Sequence, residues 1–136
     1  MNNNINKKHR VEEINQSVRQ SFSHVLKNVR EQIELECFSP GTQPQANEIA
    51  LIMAEVMIMP SRSTIRIESE DKPADVVQAI FGSITHEHIE LVLDKFSKIT
   101  YPIFNKKAYL RTALYNSVFE FESHYTNLVE VSRNDS

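Results

Sequence analysis

The amino-acid sequence predicts an all-α protein: a compact bundle of about six helices with at most one short strand, at residues 64–67. Apolar residues recur at spacings of three and four along most of the chain, which is the spacing of one face of an α-helix. The 136 residues include only 2 glycines and 5 prolines, so turns are too few for a sandwich or barrel of many short strands. Hydrophobic residues make up 40% of the chain, which is enough for one buried core surrounded by helices.

A single domain is expected because 136 residues fit one core of ordinary size. We assign residues 1–10 to a flexible polar N-terminus, residues 11–131 to the helical domain and residues 132–136 to a frayed tail. The single cysteine, Cys37, has no partner for an internal disulfide, and the sequence contains neither a signal peptide nor an apolar run of membrane-spanning length. These features predict a cytoplasmic protein without membrane contact, in which Cys37 is a small buried residue.

The first predicted helix runs from about residue 11 to residue 37 and carries one apolar stripe. At 1.5 Å per residue it is roughly 40 Å long, which exceeds the width of such a domain, so residues 11–28 are predicted to project from the body. An exposed apolar stripe is costly in water, and a second copy of the chain is one way to cover it. A homodimer is therefore one expected assembly, with a dimer face formed by Val11, Ile14, Val18, Phe22 and Val25.

The second predicted helix, residues 46–58, is apolar on nearly all sides and therefore belongs at the centre of the domain. Glu48 and Glu55 mark its one solvent-facing edge. Three methionines are expected to fill the core around it: Met53, Met57 and Met59.

Residues 61–67 alternate polar and β-branched side chains, as a strand does. This strand has no evident partner in the chain, so it is either an extended linker or an edge that pairs across a dimer. Pro73 suits the first turn of the next helix, where its missing N–H removes no hydrogen bond. Gly82 is expected to end that helix.

Two further helix starts are predicted from capping residues. Thr85 is a suitable N-cap for a helix with Glu87 in its first turn, and Asn105 is a suitable N-cap for a helix that runs to about residue 116. A last helix is expected at residues 119–131. The helix that starts after Asn105 and the helix at residues 119–131 complete the count of about six helices.

No catalytic or metal site is predicted. His86 and Glu90 have the i, i+4 spacing of helical ligands, but two ligands do not make a metal site, and His88 points to a different side from His86. We therefore interpret these residues as a solvated first turn. Two glycines cannot form a phosphate-binding loop, and Cys37 is expected at a helix C-terminus, which does not stabilise a thiolate. The sequence predicts a protein that is not an enzyme, with no cofactor and no small-molecule substrate.

Two groups of basic residues are candidates for binding a partner. Arg62 and Arg66 share one face of the predicted strand, and a second group of Lys106, Lys107 and Arg111 follows the aromatic residues Tyr101 and Phe104. Either group is a solvated face or a contact with nucleic-acid phosphates or an acidic partner. Because the net charge is -3, DNA contact through these five cations is expected to be weak and non-specific.

Two stretches of the sequence resemble a known family. The run TIRIESEDKPADVVQAIFGSITHEHIELVLDKF (residues 64–96) and the run IFNKKAYLRTALYN (residues 103–116) look like the C-terminal domain of plasmid replication initiator protein A of Gram-positive bacteria. Residues 29–59 are similar more loosely, so that the resemblance covers about three-quarters of the chain. It implies a helical domain similar to the primosomal DnaD-type fold. The winged-helix domain that reads the origin in such initiators has no counterpart here, and residues 11–28 do not match the family.

The resemblance implies an adaptor module in plasmid or mobile-element DNA replication, which recruits host primase or helicase-loading proteins by protein–protein contact. Two alternatives remain open. One is a direct DNA-binding or DNA-remodelling protein that acts through a local basic patch. The other is a structural dimeric regulator with a partner outside replication.

Overall fold

The computed structural model describes the backbone of residues 3–134 and the side chains of residues 7–121. Within this part of the chain there are five α-helices, a short 3-10 helix and one two-stranded sheet. In chain order the elements are α1 (Asn3–Gln32), the 3-10 helix (Leu35–Cys37), α2 (Gln43–Met57), β1 (Thr64–Ile67), β2 (Glu70–Pro73), α3 (Ala74–Phe81), α4 (His86–Ser97) and α5 (Lys106–Asn134). The predicted all-α class is confirmed, with five helices instead of about six. Among the described residues, no helix combines the length and apolar character needed to cross a membrane.

Helix α1 begins and ends earlier than predicted. Its backbone is already helical at Asn3, within the segment assigned to a flexible N-terminus. At its other end Glu34 takes φ 53° and ψ 55°, a left-handed conformation that ends an α-helix, so the predicted continuation to residue 37 is wrong. Residues 7–21 are all exposed, whereas Leu26, Val29 and Ile33 are buried. Within the described side chains of α1, burial is therefore confined to its C-terminal part.

Helix α2 is central, as predicted. Pro44 lies in its first turn, where the missing N–H removes no helical hydrogen bond. Most of its apolar side chains are buried, and α2 contacts α1, α3, α4 and α5. Met53 is fully buried and Met57 packs against the core, but Met59 follows the end of the helix and is exposed. The prediction of Met59 as core filling was wrong for that reason.

Strand β1 has a partner within the chain, and the predicted choice between a linker and an edge across a dimer was wrong. Strand β2 pairs with it in antiparallel fashion, with Ile67 opposite Glu70. Glu68, at φ 59°, lies in the tight connection, where turns of this kind need a left-handed residue. Ile65 and Ile67 are buried, while the side chains of β2 are mostly exposed. Pro73 is the last residue of β2 instead of the first turn of a helix.

The connection from α3 to α4 is fixed by polar contacts. Gly82 ends α3 and Thr85 caps α4, as predicted. The backbone N–H of Thr85 donates to Nδ1 of His88 at 2.9 Å, which is one half of a capping box. Nε2 of Gln32 donates to two carbonyls of this segment, those of Phe81 at 3.0 Å and Ile84 at 2.8 Å. The end of α1 is thereby joined to the start of α4.

Helix α5 is one continuous helix where two were predicted. Asn105 caps it as expected, because its Oδ1 accepts the N–H of Ala108 at 3.0 Å. The hydroxyl of Ser117 donates to the carbonyl of Leu114 at 2.7 Å, and Val118 beside it is buried. Since both residues are accommodated within the helix, nothing interrupts it between the two predicted segments. The helical backbone continues to Asn134, into the segment predicted to fray.

Candidate interaction surface

Members of both groups of basic residues predicted from the sequence meet on one face of the molecule. Arg66 of β1 and Arg111 of α5 line the same cavity, beside Glu55 of α2. Lys107 reaches the same glutamate, with Nζ 3.0 Å from the carboxylate. Arg62 is exposed before β1 and is not among the residues that line this cavity. We define the α2–α5 surface by the following residues: Glu48, Leu51, Glu55, Met59, Arg66, Tyr101, Phe104, Lys106, Lys107 and Arg111.

Both lysines of this surface are paired with α2. Nζ of Lys106 lies 3.0 Å from Oε2 of Glu48 and 5.2 Å from the centroid of the Phe96 ring. The lysines and their glutamates are each about half exposed, so each pair contributes at most about 1 kcal/mol to stability. Their main effect is to hold the start of α5 against α2 and to neutralise two of the predicted cations.

Arg66 is bound within the hairpin. Its Nη1 donates to Oδ1 of Asp71 and its Nη2 to the carbonyl of Ser69, both at 3.2 Å. Arg66 and Asp71 are register partners on adjacent strands, and opposite charges in such positions attract each other. The charge of Arg66 is therefore partly compensated by the chain itself.

Arg111 is the exception on this face. It is half-buried, and its Nε is buried without a hydrogen-bond partner among the described residues. Within the same part of the chain, neither Arg111 nor Arg62 has a carboxylate at ion-pair distance. Buried polar atoms in proteins are nearly always hydrogen-bonded. Arg111 is thus a partly buried cation for which the described chain supplies no anion.

Exposed apolar side chains accompany these charges. Phe104 is fully exposed and Tyr101 is 63% exposed, both in the loop before α5. Leu51 is exposed on α2 between Glu48 and Glu55, and the spacings of three and four place all three on one side of the helix. The sequence identified the two aromatic residues, but Leu51 was missed because its helix was predicted to be apolar on nearly all sides. The spacing of Leu51 from Glu48 and Glu55, both predicted to face solvent, was the signal that could have identified it.

The predicted dimer face is divided by the structure. Val11, Ile14 and Val18 are each more than half exposed, whereas Phe22 and Val25 pack against the core of the same chain. Only the first three residues therefore form an uncovered apolar stripe, which we call the α1 stripe. The two remaining residues already have neighbours within the fold.

The predicted solvated turn at His86 and His88 is wrong. His88 is buried, and the side chain of His86 is only 15% exposed. Nδ1 of His86 lies 2.9 Å from the carbonyl of Ile33, its Nε2 lies 2.8 Å from the Glu90 carboxylate, and its ring stacks on Phe38 with centroids 3.9 Å apart. These neighbours are far from His86 in sequence except for Glu90, so local pattern could not reveal them.

Both acceptors around His86 favour its protonated form, because a neutral imidazole has only one N–H to donate. Burial lowers the pKa of His86, but the hydrogen bond to the Ile33 carbonyl and the negative charge of Glu90 outweigh burial, so that the pKa is raised above its usual value. With both nitrogens directed at acceptors, His86 is not placed as a general base.

Cys37 is exposed, which contradicts its predicted burial, because α1 ends before it and Cys37 lies in the 3-10 helix instead of on a packed helix face. It lines a cavity of about 280 Å³ together with His86 and Glu90. Among the described residues, no group of three or more histidine, cysteine or acidic side chains is arranged to hold a metal ion.

The model of one protein family matches nearly the whole chain. This chain belongs to the family described as a family of unknown function (DUF6017), whose model matches residues 6–135. No curated protein and no solved structure matches it. All residues of the α2–α5 surface and of the α1 stripe lie within the matched range.

Proposed function

We propose that this member of the DUF6017 family is a non-enzymatic adaptor in plasmid or mobile-element DNA replication, which recruits host primase or helicase-loading proteins through the α2–α5 surface. The observation that carries the proposal is the exposure of Phe104 and Tyr101 beside cations held in place by Glu48 and Glu55. Aromatic side chains contribute large contact area, and they dominate the binding energy of many protein interfaces.

The charges around these aromatic residues suit a specific contact with one partner. Because both lysines are paired with glutamates of the chain, they attract other anions only weakly. The ion pairs of Lys106 and Lys107 fix both side chains in place, so little side-chain entropy is lost when a partner covers them. Charged groups at the edge of an interface set its register and association rate more than its affinity. The exposed rings are therefore expected to supply most of the affinity.

The assignment to replication rests on the resemblance to plasmid replication initiators. The two runs that carry it, residues 64–96 and 103–116, contain the hairpin, α3, α4 and the start of α5. They contribute Arg66, Phe104, Lys106, Lys107 and Arg111 to the α2–α5 surface. The resemblance and the surface thus concern the same part of the chain, which supports placing the recruiting contact there.

The test is binding of the full chain to purified primase and purified helicase-loading protein from a Gram-positive host. The double variant Tyr101→Ala/Phe104→Ala should bind at least about tenfold more weakly, as expected for the loss of aromatic anchors. Its helical circular dichroism spectrum should be unchanged, because both residues are exposed. The matched control is Phe119→Ala, which removes an exposed ring that lies on α5 itself and should leave binding unchanged.

Two outcomes contradict the proposal in different ways. If the wild-type chain binds neither purified protein, the replication partner is wrong. If it binds one of them and the double variant binds equally well, the adaptor role stands but the α2–α5 surface does not form the contact.

A structural dimeric regulator is the second candidate, and the α1 stripe favours it. Three apolar side chains on one projecting helix face are uncovered in the single chain, and a second copy would bury them. Sedimentation velocity of the wild-type chain and of Ile14→Asp/Val18→Asp tests this candidate. A concentration-dependent dimer that the variant abolishes supports it, and a monomer at all concentrations for the wild type rules it out.

Direct DNA binding has weaker support. Three of the five predicted cations, Arg66, Lys106 and Lys107, are engaged by carboxylates of the chain, and the net charge is -3. Affinity for DNA depends on the number of phosphates that free cations neutralise. A gel shift at low salt that disappears at moderate salt would favour this alternative.

A further inference from the structure

The cavity beside Arg111 lies where three elements of the α2–α5 surface meet. Its walls come from the end of α2 and Met59 after it, from β1 and from Arg111 of α5, and its volume is about 170 Å³. This is several times the roughly 30 Å³ that one water molecule occupies in the liquid. The cavity therefore has room for a small polar group such as a carboxylate.

The charges that line the cavity leave one cation without an anion. Glu55 is paired with Lys107 and Arg66 is paired with Asp71. Arg111 contributes the remaining positive charge, and its buried Nε has no hydrogen-bond partner among the described residues. A guanidinium offers donors in a planar fork that matches the two oxygens of a carboxylate. A carboxylate in the cavity would pair with the charge of the Arg111 guanidinium, which lines it, without displacing either existing ion pair.

We infer that the cavity lined by Arg66 and Arg111 binds the carboxylate of an aspartate or glutamate in a peptide segment of the partner protein. This inference deepens the proposed function and rests on it. Two features favour a peptide over a nucleic acid. The excess charge at the cavity is that of one group, and Met59 beside it is exposed and apolar. An acidic residue with apolar neighbours fits this combination.

The experiment starts with selection of random twelve-residue peptides displayed on phage against the wild-type chain. Enriched peptides should share an aspartate or glutamate next to apolar residues. One enriched peptide is then labelled with fluorescein, and its affinity is measured by fluorescence anisotropy alongside the same peptide with its acidic residue changed to the amide. A twenty-nucleotide single strand and the corresponding duplex are titrated in the same assay.

Arg111→Gln should weaken binding of the acidic peptide by at least about tenfold, because a charge-assisted fork becomes at best one neutral hydrogen bond. The amide peptide should bind the wild type as weakly as the acidic peptide binds Arg111→Gln. Arg111→Lys should restore binding only in part, since an ammonium cannot form the fork. The matched control is Arg19→Gln, which removes an exposed arginine of α1 and should have no effect.

Three results would overturn the inference. The first is that no peptide is enriched or that the enriched peptides lack acidic residues, and the second is that the acidic peptide binds the wild type and Arg111→Gln with equal affinity. The third is that an oligonucleotide binds more tightly than the peptide and loses its binding in Arg111→Gln, which would assign the cavity to a phosphate. None of these results affects the test with Tyr101→Ala/Phe104→Ala and purified replication proteins. A failed cavity and a failed adaptor role are therefore distinguishable.

Discussion

His86 and Arg111 are two basic side chains that lie partly inside the same small domain, and their surroundings differ. Both nitrogens of His86 face acceptors of the chain, and its ring is covered by Phe38. Arg111 is also withdrawn from solvent, yet its buried Nε has no partner among the described residues. A satisfied polar group stabilises the fold, whereas an unsatisfied one costs stability.

This difference in hydrogen bonding indicates that His86 stabilises the fold, whereas Arg111 is available to a partner. His86 joins the start of α4 to the end of α1 through the Ile33 carbonyl. Removal of His86 should therefore damage stability, and removal of Arg111 should damage binding alone.

His86→Ala should lower the free energy of unfolding by about 2–4 kcal/mol, because it removes a stacked ring and leaves the Ile33 carbonyl without its donor. Urea unfolding followed by circular dichroism measures this change. The control is His24→Ala, which replaces an exposed histidine of α1 and should change stability by less than about 0.5 kcal/mol. Equal stability of the two variants would mean that the His86 contacts contribute nothing to the fold.

The stability that His86 contributes should depend on pH. Since its pKa is raised in the folded protein, the contribution is fully present below the unfolded pKa of about 6.5 and is lost as the pH rises through the folded pKa. The difference in free energy of unfolding between the wild type and His86→Gln should thus shrink as the pH rises above about 6.5. Glu90→Gln should make the pH dependence shallower. A difference that grows with pH would show that the imidazole is bound as the neutral form.

Arg111→Met should leave the free energy of unfolding unchanged or raise it by up to roughly 1 kcal/mol, since methionine keeps the apolar stem and removes an uncompensated charge. The matched control is Arg30→Met. Arg30 is also half-buried, but its Nε donates to Oδ1 of Asn47 at 2.9 Å, so its replacement should cost about 1 kcal/mol. Thermal unfolding of both variants at one pH measures the contrast. A large loss of stability in Arg111→Met would assign that arginine to the fold.

Lys106→Ala should have the smallest effect, a loss of at most about 1 kcal/mol, because its pair with Glu48 is about half exposed. The loss should decrease further at high salt, which screens exposed charges. Lys27→Ala, which replaces an exposed lysine of α1, is the comparison. A salt-independent loss would indicate that packing over Phe96, and not the ion pair, is what Lys106 contributes.

Sequence patterns predicted the parts of this fold that depend on local periodicity. The central position of α2 and the caps at Thr85 and Asn105 follow from residues within one or two turns. The hairpin was missed because the acidic β2 has no apolar alternation and is held by backbone pairing. The burial of His86 was missed because its partner carbonyl, at Ile33, is 53 residues away along the chain.

The candidate surface was predicted only in part for a similar reason. The sequence identified the cations and the two exposed aromatic residues as candidates. It could not show that Arg66 and Arg111 share one cavity, or that Glu48 and Glu55 neutralise the lysines. Which cation lacks an anion depends on contacts between elements that are distant in sequence.

The exposed N-terminal part of α1 has a kinetic consequence. Residues 7–21 have no buried side chain, so their helical structure depends on interactions within the helix itself, such as the pair of His9 and Glu13 at 3.0 Å. A helical segment of about 15 residues without packing is only marginally stable in water. Its amide protons should exchange with deuterium far faster than those of α2, and covering the α1 stripe should slow that exchange. Protection in this segment thus reports directly on whether a second molecule is bound.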